Sequence, residues 1–234
     1  MIPRLDLHVH SQFSPCANDV SIERDVETAL AKGVRVIAIT DHGTVPFPPW
    51  FENYLREVEW AQKKVEGRLT LLKGMEVDIV EGGRLAVSAS LLKQLDVVVA
   101  SLHSIPEGTD AVGYWRRSVI RAIESGFATV IGHPTDVGWR KLKPDLEDAL
   151  EVLDVARSHG VAVELNYHHR DPEPWFLRLA IERSVPLVPT SDAHSLHEIG
   201  NFWWHEERIR SAGYDPSHVK WLDEGSLARA QVRV

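Results

Sequence analysis

Seven short runs of Val, Ile and Leu punctuate this chain with little polar alternation, and amphipathic stretches separate them. Near-continuous apolar runs are what parallel strands covered on both faces require, because a strand with one wet face would alternate. The predicted strands are residues 4–8, 35–40, 70–76, 96–101, 129–132, 162–166 and 187–190. Between them the spacing predicts helices. Ser21 can cap one that ends before Gly33, residues 52–65 form a second, and Trp115, Val119 and Ile123 make a stripe that stops at Gly126. Leu146, Leu150 and Leu153 stop before Gly160, with Pro144 suited to the first turn. Residues 174–183 and 196–211 are the last two, and Gly82-Gly83 marks a turn or small hairpin.

Strands alternating with helices indicate an α/β parallel architecture. Its 234 residues suit one domain over 1–234, with no linker, repeat or low-complexity tract. Hydrophobic residues are 44% and charged residues 26%, enough to bury a core without covalent staples. A net charge of −8 with no basic run does not favour nucleic acid as a partner. Cys16 is the lone cysteine, no leader pattern opens the chain, and no apolar run nears the roughly 20 residues of a membrane span. A cytoplasmic protein without membrane attachment is expected, and no oligomeric state is assigned.

The strand ends carry the chemistry. His8 and His10 alternate along the first run and so face one side, the beginning of a metal site. Asp41-His42, Glu76, His103 and His133 follow later runs, and Asp192 and His194 follow the last. A lone histidine after a strand is commonly a hydrogen-bonded structural residue; six strand ends bearing ligand types are a pattern. In a barrel the C-terminal ends of the strands ring one spot, whereas an open sheet spreads them along a line. The set exceeds one tetrahedral ion and suits two or three, with Glu76 and Asp192 as bridges. Asp41 is read as a support for a ligand imidazole.

Leu7-His8-Val9-His10, Ile39-Thr40-Asp41-His42, Gly74-Met75-Glu76-Val77-Asp78, Ala100-Ser101-Leu102-His103-Ser104, Gly132-His133-Pro134 and Ser191-Asp192-Ala193-His194 together resemble the motif series of the PHP (polymerase and histidinol phosphatase) family. The resemblance runs over residues 5–195. It implies a distorted seven-stranded (β/α)7 TIM-like barrel, a trinuclear metal centre of Zn, Mn or Fe, and phosphoesterase activity. By it, His8, His10, Glu76 and Asp192 would hold one ion, Glu76, His103 and His133 a second, and His42 and His194 a third. Many family members carry Asp or His on the loop after the first strand, where this chain has Ser14-Pro15-Cys16-Ala17-Asn18-Asp19. Cys16 stands where a ligand would sit, a thiolate there favours zinc or iron, and Asp19 is the weaker candidate.

The segment from Glu164 to Arg170 resembles the family stretch where an Asn and a later Arg follow a strand. Asn166, His168, His169 and Arg170 are the candidate substrate-binding residues, since a guanidinium can fork onto a phosphate. Asp192, His194 and Arg170 are the candidate catalytic residues. The expected reaction is hydrolysis of a phosphorylated small molecule by metal-activated hydroxide. A nuclease acting on DNA ends is the alternative within that class. An amidohydrolase usually needs a bridging Lys after strand four and eight strands, and His103 stands there instead. A barrel used only for binding is the third class. The segment 45–51, rich in Pro and aromatics, is read as packing on the barrel rim, and Trp203-Trp204-His205 as anchoring the last helix.

Overall fold

The computed structural model describes residues 1–222 and 227. Its seven main parallel strands are β1 (Leu5–Val9), β2 (Val36–Ile39), β3 (Thr70–Val80), β4 (Val97–Ser101), β5 (Val130–Ile131), β6 (Ala162–Asn166) and β7 (Leu187–Thr190). Each pairs with the next in chain order. The seam between β1 and β7 closes just beyond the end of β7, where His10 N donates to Ala193 O at 3.0 Å and Ala193 N to His8 O at 3.3 Å. The result is the expected distorted seven-stranded α/β barrel, nearly closed.

Helices α1 (Ile22–Ala31), α2 (Phe51–Val65), α3 (Ala89–Leu92), α4 (Ala111–Glu124), α5 (Leu146–His159), α6 (Pro174–Glu182) and α7 (Phe202–Ser211) connect and follow the strands. Ser21 caps α1 by accepting from Arg24 N. Pro144 lies outside α5, because Asp145 takes the cap position and accepts from Asp148 N. The predicted helix 196–211 begins six residues late, at Phe202. Lys32 Nζ holds the preceding loop by the carbonyls of His197 and Ile199.

Two apolar layers divide the strands by face. Ile37, Ile39, Val98, Ala100, Ile131 and Val163 pack outward against the helices. Leu5, Leu7, Val36, Ala38, Val97, Val99, Val130, Ala162 and Val188 fill the interior, with Leu222 and Leu227 in the same cluster. The interior therefore holds packed side chains, and its floor lies towards the chain's end, where Leu222 N donates to Leu187 O.

A register shift in β1 decides where the site forms. Asp6 pairs with Ile37, yet Val9 pairs with Ile39, so β1 carries one extra residue between them. Leu5 and Leu7 face inward before the bulge and Val9 faces outward after it. Without the extra residue, His8 and His10 would follow Asp6 to the outer face. Asp6 stays outside, where it accepts Ser191 N at 2.8 Å and Gly200 N at 3.1 Å.

Strand β3 runs four residues past its predicted end. Val77 and Asp78 still pair with Ala100 and Ser101, and Ile79 and Val80 pair antiparallel with Arg84–Leu85 across the Gly82-Gly83 turn. Alternation along this extension puts Glu76 and Asp78 on one face.

One buried carboxyl outside the barrel mouth is uncompensated. Asp25 on α1 is fully buried, and neither carboxyl oxygen has a hydrogen-bond partner. Burial first, then the nearby Asp41, lifts it from 3.8 to about 8. Between those values this carboxyl holds its proton in the native state and loses it in the unfolded chain, so its contribution to stability is fullest at low pH and is lost as pH rises to about 8. Asp25→Asn is expected to remove this fall and to exceed the parent above pH 8 by a few kcal/mol on the order given by the shift. Urea midpoints measured across pH check it; parallel profiles for parent and variant would contradict it.

Candidate metal centre

Ligand-type side chains from six of the seven strand ends converge above the apolar interior. His8, His10, Glu76, His133 and Asp192 are buried there, and His42, His103 and His194 are half-buried around them. Glu76 stands at the middle. Its Oε1 lies 3.1 Å from His103 Nε2 and 3.2 Å from His133 Nε2. Its Oε2 lies 3.5 Å from His8 Nε2, 3.6 Å from His10 Nε2 and 2.9 Å from His42 Nδ1. Asp192 Oδ1 lies 3.4 Å from His8 Nε2 and 3.0 Å from His10 Nε2.

These distances test whether an ion fits. Four donors bonded at about 2.1 Å to a tetrahedral ion stand about 3.4 Å apart. The four edges joining His8 and His10 to Glu76 and Asp192 run from 3.0 to 3.6 Å. His8 Nε2 and Glu76 Oε2 are buried without a hydrogen-bond partner, although they face each other. Orphaned atoms of this kind suit a shared cation. Glu76, His103 and His133 make a second group, and His10, His42 and His194 a third.

Hydrogen bonds to the opposite ring nitrogens aim the imidazoles. His8 Nδ1 faces Glu164 Oε1 at 2.8 Å, His103 Nδ1 faces Asp78 Oδ1 at 2.7 Å, and His133 Nδ1 donates to Asp136 O at 2.8 Å. His194 Nδ1 donates to Asp192 O at 2.8 Å. Each leaves Nε2 with its lone pair free for an ion. Asp41 supports His10, not His42. It accepts Ser11 N, Ser11 Oγ and Ser14 Oγ, and Ser14 Oγ meets His10 Nδ1 at 3.0 Å.

Charge balance points the same way. Burial would raise Glu76, yet His103, His8 and His42 hold it well below the usual carboxylate range. Burial works against charge on His8, yet Asp192, Glu164 and Glu76 lift it well above the histidine range. Burial holds His10 down at about 4, so it is neutral and able to ligate. Three buried carboxylates in one spot require positive charge, from protons or from cations.

Cys16 reaches the third group. Its Sγ lies 3.4 Å from His42 Nε2. Burial pushes the thiol up, but hydrogen bonds with His194 and His42 bring it down to about 6. Asp19 instead accepts Leu196 N at 3.3 Å.

The substrate-side candidates divide. Asn166 is buried and donates to Glu164 Oε2 and Asp192 Oδ2, both at 2.9 Å. His168 stacks on His194 at 4.3 Å and bonds Glu198 Oε1 at 2.6 Å. His169 stacks on His133 at 4.4 Å, with Nε2 3.6 Å from Asp192 Oδ2. Arg170 does not join them. Its backbone turns to a φ of +54°, and its guanidinium lies 3.8 Å over the Tyr167 ring and 5.4 Å over Trp204. The fork onto a phosphate expected of it has no support in this placement.

Glu164 is a buried hub that the sequence pattern does not mark as one. Its oxygens meet His8 Nδ1, His133 N at 2.6 Å, Thr190 Oγ1 at 2.6 Å and Asn166 Nδ2. The available signal was a lone acid inside the apolar run Ala162–Asn166, on the same face as inward Ala162. Gly132 lets that face close: a Cβ there would meet Ser101 Oγ.

Comparison with known proteins shows the family. The PHP domain model matches residues 6–168. A probable phosphatase of a Thermoanaerobacter species is 32% identical over 95% of this chain and 92% of its own length. The DNA polymerase/3′-5′ exonuclease PolX of Bacillus subtilis is 30% identical over 82% of this chain but 34% of its own length. In fold, the histidinol phosphate phosphatase of Lactococcus lactis, solved with zinc, L-histidinol and phosphate, superposes with a TM-score of 0.69. It covers 92% of this chain and 95% of its own, at 20% identity. This chain belongs to the PHP domain family.

Proposed function

We propose that this protein is a metal-dependent phosphatase that hydrolyses phosphate monoesters of small molecules. The observation that carries the reading is the set of four buried edges from His8 and His10 to Glu76 and Asp192, 3.0–3.6 Å long, with neither His8 Nε2 nor Glu76 Oε2 in a hydrogen bond. His8, His10, Glu76 and Asp192 would hold one divalent ion, and Glu76, His103 and His133 a second. His42, His194 and Cys16 would hold a third, and the thiolate there favours zinc or iron over manganese. Such ions supply a hydroxide nucleophile at neutral pH and offset the charge of phosphate oxygens.

The protein's own part is to hold and aim. Glu164 keeps the His8 imidazole with its proton on Nδ1 and fixes the backbone of His133, so it positions two ligands at once. Asn166 fixes the second oxygen of Asp192, leaving Oδ1 turned to the histidines. His168 and His169 line the mouth beside those ligands and are the candidate donors to an ester oxygen. Among the described residues no helix is long and apolar enough to cross a membrane.

Action on DNA ends is the second reading, favoured by the likeness to PolX. The net charge of −8 weighs against it, since nucleic-acid affinity rests on phosphate neutralisation. Turnover of a sugar phosphate compared with release of nucleotides from single-stranded DNA separates the two.

Two outcomes are expected. Purified protein releases orthophosphate from p-nitrophenyl phosphate, and exhaustive chelation or Glu76→Ala abolishes the release; activity untouched by both would overturn the reading. Glu164→Gln keeps the fold but weakens metal binding by about 10–100-fold, read as metal retained per chain after dialysis against a graded chelator. Parental retention by that variant would remove Glu164 from its positioning role.

A further inference from the structure

The hairpin after His133 carries a residue that the chemistry described above does not use. Asp136–Val137 and Arg140–Lys141 pair antiparallel, leaving Gly138 and Trp139 as the two turn residues. Their φ values are +56° and +65°. Two positive φ values define a type I′ turn, which favours Asn-Gly because a side chain at such a φ is strained. Tryptophan is a poor choice for that position on backbone grounds. It is also 69% exposed, so burial does not account for it either.

Its surroundings point to a use. The indole stacks on His169 with centroids 4.3 Å apart and planes 18° apart. His169 in turn stacks on His133 at 4.4 Å and 25°. His133 Nε2 lies 3.2 Å from Glu76 Oε1. The indole is therefore two ring-stacking steps from a candidate metal ligand, with His168 edge-on beside it at 5.3 Å. One indole face is covered by His169, and the exposure of the side chain leaves the other to solvent. A non-glycine residue held at a strained turn beside a reactive mouth is where function commonly offsets strain.

We propose that Trp139 is a specificity-determining residue: its free face stacks on a planar ring carried by the alcohol part of the phosphate ester. The enzyme then prefers esters of ring-bearing alcohols, of which a nucleoside monophosphate is the test case, over open-chain ones. This rests on the phosphatase reading. Ions at Glu76 and Asp192 would hold the phosphoryl end of any ester alike, so discrimination must come from the alcohol side. The wall on that side is a flat aromatic surface. A flat ring gains stacking there that a flexible polyol does not.

The test uses metal-loaded parent, Trp139→Gly and Trp139→Phe. KM and kcat are measured for adenosine 5′-monophosphate and for glycerol 3-phosphate. Quenching of indole fluorescence by adenosine is titrated in the presence of orthophosphate, which needs no turnover. Trp139→Gly is expected to raise KM for the nucleotide roughly 10-fold or more with little change in kcat, while KM for glycerol 3-phosphate stays within about twofold. Its melting temperature should hold or rise, because glycine suits the turn. Trp139→Phe should retain most of the preference. Equal losses on both esters, which a disturbance of His169 would cause, or an unchanged nucleotide KM would overturn the proposal. If the parent hydrolyses neither ester, the phosphatase reading is still judged on p-nitrophenyl phosphate, and the fluorescence alone decides the ring stacking. Quenching lost in Trp139→Gly upholds ring stacking, and quenching equal in both proteins refutes it.

Discussion

Three carboxylates buried together at the barrel mouth set the terms for everything around them. Glu76, Glu164 and Asp192 are each 0–2% exposed. Unpaired charge in such a place is unfavourable by several kcal/mol per ion. The surrounding imidazoles answer it, which is why His8 is lifted and Glu76 depressed far from their ordinary values. The division of labour among the acids follows from their contacts. Glu164 is saturated with hydrogen bonds and serves as a clamp. Glu76 Oε2 is not saturated, and its geometry suits a cation.

The apolar interior and the polar mouth are one device. The same strand faces carry Val97 and Val99 below Ser101, and Ala162 below Glu164 and Asn166. Alternation alone delivers this on most strands. On β1 it does not, and the bulge between Asp6 and Val9 is what lets Leu7 and His8 both serve the interior. Asp6, left on the outer side, ties the start of β1 to Ser191 just after β7 and so holds the seam next to Asp192.

Much of this was legible in the sequence. The seven apolar runs are strands, and the ligand types at their ends do meet, because parallel strands in a barrel bring their C-terminal ends together. What was not legible depends on contacts rather than periodicity. The β1 bulge has no composition cue. Asp41 reaches His10 only through Ser14, which no spacing rule anticipates. Arg170 looked like a phosphate fork by residue type, but a left-handed turn of its own backbone sends it onto Tyr167. The turn at Gly138-Trp139 is silent in the sequence because it lacks the Asn-Gly or Asp-Gly pair that marks a type I′ hairpin.

Strain is distributed with the same logic. Among the described residues, positive φ values outside glycine occur at Asp19, His133, Trp139, Arg170, Ser184 and Asp192. Two of these, His133 and Asp192, are candidate ligands, and Trp139 and Arg170 stand on the loops beside them. Each such residue costs on the order of 1 kcal/mol, a cost that a site on regular strands would avoid. Regular strands, however, point successive side chains to opposite faces. Turning His133 and Asp192 in the left-handed sense lets loop residues aim back over the barrel axis at Glu76 and at His8 and His10. The hydrogen-bonded barrel beneath supplies the stability that offsets the strain. The rigid part of the molecule and the strained part are thus adjacent layers, and the candidate chemistry sits on the boundary between them.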